Sequence, residues 1–131
     1  MTLSIHSAID TPIAAVHRAG DLIEVRFKVG ATLTVAGIMS IMQVRQQLAA
    51  GEALKVLIVF PQAEMDFDMS MITTDHYSVL PVQQFTRAVA WAAINDHNER
   101  FCKLYFAYFP SPVPSAIFME EKQAREWLEG K

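Results

Sequence analysis

The sequence predicts an α/β fold: a mostly parallel or mixed five-stranded sheet with an N-terminal hairpin and about four helices, in one domain spanning 1–131. Three observations carry that expectation. Lys55-Val56-Leu57-Ile58-Val59-Phe60 is a short run apolar on both faces, which suits a central strand covered on both sides. Ile23, Val25 and Phe27 alternate with Glu24, Arg26 and Lys28, the period-two pattern of a strand with one wet face. After that strand, apolar runs of strand length alternate with helical patterns over short connections, which favours a largely parallel sheet with an antiparallel edge.

In chain order, residues 1–11 have little pattern and end at Thr11-Pro12, so a loosely ordered start is expected. Ile13 to Arg18 and Leu22 to Lys28 flank the turn residues Ala19-Gly20-Asp21 and read as a hairpin. Thr34 is placed to cap a helix in which Val35, Ile38, Ile41, Met42 and Leu48 share a face. Gln43, Arg45, Gln46 and Gln47 take the other side, and Gly51 follows the end. The segment from Gln62 to Gln84 is the least regular; a helix starting near Asp68 or Ser70 and stopped by Pro81 is expected there.

Arg87 to Ile94 is an apolar run of strand length, despite its alanines. Asp96 and Glu99 have capping-box spacing, which starts a helix at His97, with Phe101, Leu104, Tyr105, Tyr108 and Phe109 on one side. The Pro110-Ser111-Pro112-Val113-Pro114 segment breaks that helix, Ser115 to Phe118 forms a last strand, and a helix from about Glu120 places Ala124, Trp127 and Leu128 on one face before Gly130.

Composition narrows function by exclusion. The chain is 52% hydrophobic and 19% charged, well outside the disordered range. Its net charge is −3, and its 11 Lys and Arg form no run, which argues against a nucleic-acid partner. No stretch approaches the roughly 20 apolar residues of a membrane span, the start has no export signal, and the single cysteine, Cys102, suits a reducing compartment. A cytoplasmic protein is expected.

The element order, together with the acidic turn after the central strand, resembles the STAS domains, the anti-sigma-factor antagonist fold. Bacterial members carry an Asp-x-Ser-Gly motif at that turn, and partner-switching members are phosphorylated on its Ser. Asp68-Met69-Ser70-Met71 stands at nearly the right distance, with Met71 in place of the glycine. The resemblance therefore implies Ser70 as phosphoacceptor, and Asp66, Asp68, Met69 and Met71 as residues of the motif and its partner contact. From Ile13 to Leu128 the chain also looks like small uncharacterised bacterial STAS-like proteins, through Gly20-Asp21-Leu22, Phe109-Pro110-Ser111-Pro112 and Ala124 to Leu128.

No catalytic constellation is legible. Ser70, Asp75 and His76 lack the elbow and oxyanion loop of a hydrolase, although Ser70 or Asp68 could in principle serve an unrecognised one. Glu64, Asp66 and Asp68 do not reproduce a calcium loop, and His6, His17, His76 and His97 have no metal-ligand spacing. No cofactor is expected. Cys102 reads as a small buried hydrophobe. The surplus is apolar: Phe101, Tyr105, Phe106, Tyr108 and Phe109 give one helix more apolar bulk than a core-facing stripe requires, and with Met65, Phe67, Met69 and Met71 they suit an interface or an apolar pocket. The expected function is a non-enzymatic, self-associating interaction module with a protein partner; the alternative is a small apolar-ligand or lipid-binding domain, since STAS-like folds resemble carriers of the CRAL-TRIO type.

Overall fold

A computed structural model describes residues 6–72 and 81–131. Its main sheet has six strands in the order β1 (His6–Asp10), β2 (Ala14–Ala19), β3 (Leu22–Phe27), β5 (Leu54–Val59), β7 (Thr86–Ala92) and β8 (Ser115–Phe118). β1–β2 and β2–β3 are antiparallel and every later pairing is parallel. The mixed α/β sheet is as the sequence indicates, with β1 as an added strand. Thr11 explains it: its N–H donates to the Ala14 carbonyl at 2.8 Å and its Oγ1 accepts the Ala14 N–H at 3.0 Å. That closed turn lays His6–Asp10 along β2, so the start of the chain is not loose from His6 onward.

The expected double burial of the central strand is met. Val56, Ile58 and Phe60 of the β5 segment join the larger core, under α1 (Val35–Ala49) and α3 (Asp96–Tyr108), while Leu57 and Val59 join a smaller one under α4 (Glu121–Glu129). β7 divides in the same way. Val89, Trp91 and Ala93 face the larger core, and Ala88, Ala90 and Ala92 face Ala124 and Leu128 of α4. The small alanines let that helix lie close to the sheet, which is why an alanine-rich run forms a strand here.

Caps and ion pairs fix the helices. Thr34 Oγ1 accepts the Gly37 N–H at 3.0 Å, as an N-cap should. At the other end of α1, Ala50 and Gly51 have φ of 52° and 88°, and Arg18 of β2 donates from Nη1 to the Leu48 carbonyl at 2.6 Å. Glu121 accepts from Arg26 through both carboxylate oxygens, at 2.9 and 2.8 Å, and from Arg125 Nε at 2.8 Å; Arg125 also pairs with Glu24. These bonds lash α4 to β3, and donation from Arg26 holds the Glu121 carboxyl down to about 2.

Four expectations change. Arg45 is not on a solvent face: it is 4% exposed, donates from Nη2 to Thr86 Oγ1 at 2.7 Å, and lies over the Phe85 ring. Pro81 precedes a single helical turn, α2 (Val82–Phe85), and the described residues near Ser70 form a 3-10 turn (Met69–Ile72). Residues 73–80 of the expected helix, with Asp75 and His76, lie outside the described residues. Asn95 rather than Asp96 caps α3, because its Oδ1 accepts the Asn98 N–H at 2.9 Å. Leu104 and Tyr108 are exposed, and the buried stripe of α3 is Asn98, Phe101, Cys102 and Tyr105.

Candidate functional site

The chain leaves the carboxyl end of β5 at Phe60 and enters an irregular segment that the first turn of α3 holds from the side. Asn98 is 1% exposed; its Oδ1 accepts the Met65 N–H at 3.0 Å, and its Nδ2 donates to the carbonyls of Ala63 at 3.2 Å and Pro61 at 3.4 Å. Asn95 Nδ2 donates to the Gln62 carbonyl at 2.9 Å, and His97 Nε2 donates to the Met65 carbonyl at the same distance. A carbonyl can only accept, so His97 carries its proton on Nε2. Loops rarely tolerate burial because their backbone groups lack partners, and here side chains of α3 supply them.

The next residues are fixed from a second side. β6 (Asp66–Phe67) pairs in parallel with β4 (Thr32–Leu33), and the Asp68 N–H continues that contact by donating to the Leu33 carbonyl at 2.8 Å. Phe67 rests on Phe101 with ring centroids 4.7 Å apart. Asp68 then folds the chain back: its Oδ1 accepts the Ser70 N–H at 2.9 Å and the Ser70 hydroxyl at 2.7 Å, and its carbonyl accepts the Met71 N–H at 2.9 Å. Ser70's backbone and hydroxyl donations, in that order, keep the exposed Asp68 carboxyl below its ordinary value.

The turn separates residues that the sequence groups together. Met71 is 2% exposed and belongs to the larger core, whereas Met69 is 65% exposed. Met71 is therefore an anchor, not a contact surface, and Met69 faces solvent. Asp66 and Asp68 are exposed and Ser70 partly so, which leaves Asp66, Asp68, Met69 and Ser70 as the accessible face of the motif.

The aromatic surplus is mostly absorbed by packing. Phe101 and Tyr105 are buried, and Phe106 and Phe109 pack against the same core. A cavity of about 30 Å³ remains between α1, α3 and the sheet, lined in part by Phe101 and Tyr105 but not by Phe106, Phe109 or Phe67. It has room for one or two water molecules rather than an acyl chain. Burial pushes the Cys102 thiol well above its ordinary value, so it is a poor nucleophile. Among the described residues, no group of three or more His, Cys, Asp or Glu could hold a metal ion, and no helix is long and apolar enough to cross a membrane.

Asn98 and Arg45 are the residues that sequence reasoning missed. A signal existed for Asn98: an asparagine inside the first turn of an otherwise well-capped helix competes with the backbone unless its side chain has work elsewhere. None existed for Arg45, whose partner Thr86 is 41 positions away.

Three comparisons bear on this geometry. The family model described as "Domain of unknown function (DUF7793)" matches residues 17–130. A crystal structure of an uncharacterized protein from the DUF3478 family with a SpoIIAA-like fold, from Shewanella loihica PV-4, superposes with a TM-score of 0.53 at 18% identity, over 98% of each chain. That likeness shows the fold, which is SpoIIAA-like and hence STAS-like. No curated protein matches the chain.

Proposed function

The chain belongs to the DUF7793 family, whose description leaves its role open, and we propose that it is a non-enzymatic regulatory module that docks a protein partner through Asp66, Asp68, Met69 and Ser70. Met69 carries the reading: a 65% exposed methionine on a turn whose backbone is held by Leu33, Asp68 and the buried Met71. A fixed backbone lowers the ordering cost of association, and a methionine adapts its shape to an apolar partner. The cytoplasm is the matching compartment for a chain whose lone thiol is buried and unpaired with another cysteine.

Ser70 supplies the switch. Its hydroxyl donates to the Asp68 carboxylate, so a phosphate there would replace a donor with a dianion beside a carboxylate. Like-charge repulsion then opens the turn and releases the partner. The test is co-purification of the tagged chain from its own host. Met69→Asp and Ser70→Glu weaken retention of the wild-type partner about tenfold, by the cost of burying an unpaired charge, while Gln46→Asp, on exposed α1 surface, does not. Equal retention by all of them would overturn the reading.

Self-association is a second component, motivated by Leu104 and Tyr108, exposed by 39% and 61% one turn apart on α3. Sedimentation velocity should give a dimer that Leu104→Asp with Tyr108→Asp converts to monomer; a wild-type monomer at every concentration contradicts it.

A further inference from the structure

Among the described residues, four large apolar side chains are exposed, Val29, Met69, Leu104 and Tyr108, and three of them gather at one corner of the fold. His97, Phe101, Leu104 and Tyr108 recur at steps of four, three and four, so they form one stripe along α3. The first two hold the segment after the central strand: His97 Nε2 donates to the Met65 carbonyl, and Phe101 lies against Phe67. Two residues of the segment thus match four of the helix. Both lengths rise by about 6 Å, so the segment runs beside α3 in the same direction. The turn that follows, with Met69, also contacts α3. Met69, Leu104 and Tyr108 are therefore one apolar strip rather than two patches.

The strip has unlike flanks. On the side of the turn stands Asp66, exposed, between Met65 and Phe67 and hence level with the helical turn from His97 to Phe101. On the far side stands Arg100, exposed in that same helical turn. At about 100° per residue it lies beyond Leu104, away from Phe101. Among the described residues, neither the Arg100 guanidinium nor the Asp66 carboxylate has an ion pair.

A second copy can be laid on this strip in two ways. A two-fold axis across α3 sets each flank against its own kind, with Arg100 facing Arg100. An axis along α3 exchanges the flanks, so that Arg100 of each copy meets Asp66 of the other at the same level. Charge selects the axis along α3.

We propose that two copies of the chain pair through this strip about a two-fold axis along α3, with Arg100 of each bonded to Asp66 of the other, and that the pairing covers Met69 and excludes the protein partner. The chain then docks its partner as a monomer, and the dimer is the state that forms without one. The pairing deepens the reading of Leu104 and Tyr108 as a self-association surface; the exclusion rests also on the reading of Met69 as a docking residue.

The experiment has two readouts on the whole chain, neither of which requires the partner. Sedimentation velocity over a concentration series compares wild type with Arg100→Asp, Asp66→Arg and the double variant. Each single variant is expected to weaken the dimer about tenfold, since the symmetry repeats the lost pair, and the double variant to return it close to wild type. NMR of the methionine methyls with a soluble gadolinium chelate then reads access to Met69, with the buried Met71 as reference. Relaxation of the Met69 methyl should fall as the wild-type dimer forms and stay high in Arg100→Asp at the same concentration. A dimer that the single variants leave intact, or that the double variant does not restore, overturns the pairing. A Met69 methyl equally accessible in monomer and dimer overturns the exclusion. A wild-type monomer at every concentration overturns self-association and this pairing with it. Retention of the partner by Met69→Asp would instead remove the docking reading and leave both readouts as they are.

Discussion

Asn98 and Met65 are joined by a buried hydrogen bond of 3.0 Å from the Met65 N–H to Asn98 Oδ1, which ties the first turn of α3 to the segment that follows the central strand. The same amide donates to the Ala63 and Pro61 carbonyls, so one side chain satisfies three backbone groups. The backbone that leads into Asp66 to Ser70 is held by this support.

Asn98→Ala should therefore destabilise the chain by about 2–3 kcal/mol, because it leaves buried backbone groups unsatisfied. Asn98→Asp should do no better, since a carboxylate cannot donate to the two carbonyls. Urea unfolding gives the magnitude, and hydrogen exchange gives the location: the Met65 amide should lose protection more than the amides of β5.

The Glu121 network predicts a pH-dependent contribution. Its carboxyl is held at about 2, below the ordinary 4.5, by donation from Arg26. A depressed acid stabilises the folded state above its unfolded value, and that contribution fades as pH falls from about 4.5 through about 2. Glu121→Gln should cost about 1–2 kcal/mol at neutral pH, allowing for solvent screening, and the gap between variant and wild type should close towards pH 2. Unfolding curves across that range check the sign.

Gly51 has φ of +88° with open space around its Cα, so Gly51→Ala isolates backbone strain from steric clash. A loss of about 1 kcal/mol is expected in thermal or denaturant unfolding.

Ser70→Ala removes the hydroxyl donor to Asp68 but keeps the backbone donor, which is the larger cause of the depressed carboxyl. The Asp68 carboxyl, followed by NMR titration, should rise only part of the way towards 3.8. A full return would mean that the turn itself had opened.

These residues also show how much the sequence could say. β5 was legible because both faces of one strand are apolar, and β3 because one face is wet. β1 was not, because His6–Asp10 owes its conformation to pairing with β2 through the Thr11 turn rather than to its own pattern. Asp68 and Ser70 are implied by the resemblance to the Asp-x-Ser-Gly motif of STAS domains, but Met69 and Met71 look alike in sequence, and only the turn sends one outward and the other into the core. Charge misled at Arg45, where a long-range hydroxyl and an aromatic ring make burial tolerable.

The most direct test of the central claim is photocrosslinking in the native host, with a diazirine analogue of methionine placed at position 69 and, separately, at exposed position 46. The account predicts one specific protein crosslinked from position 69, absent from position 46, and lost when Ser70→Glu is added. The same adducts from both positions, or adducts from position 69 that persist with Ser70→Glu, would contradict it.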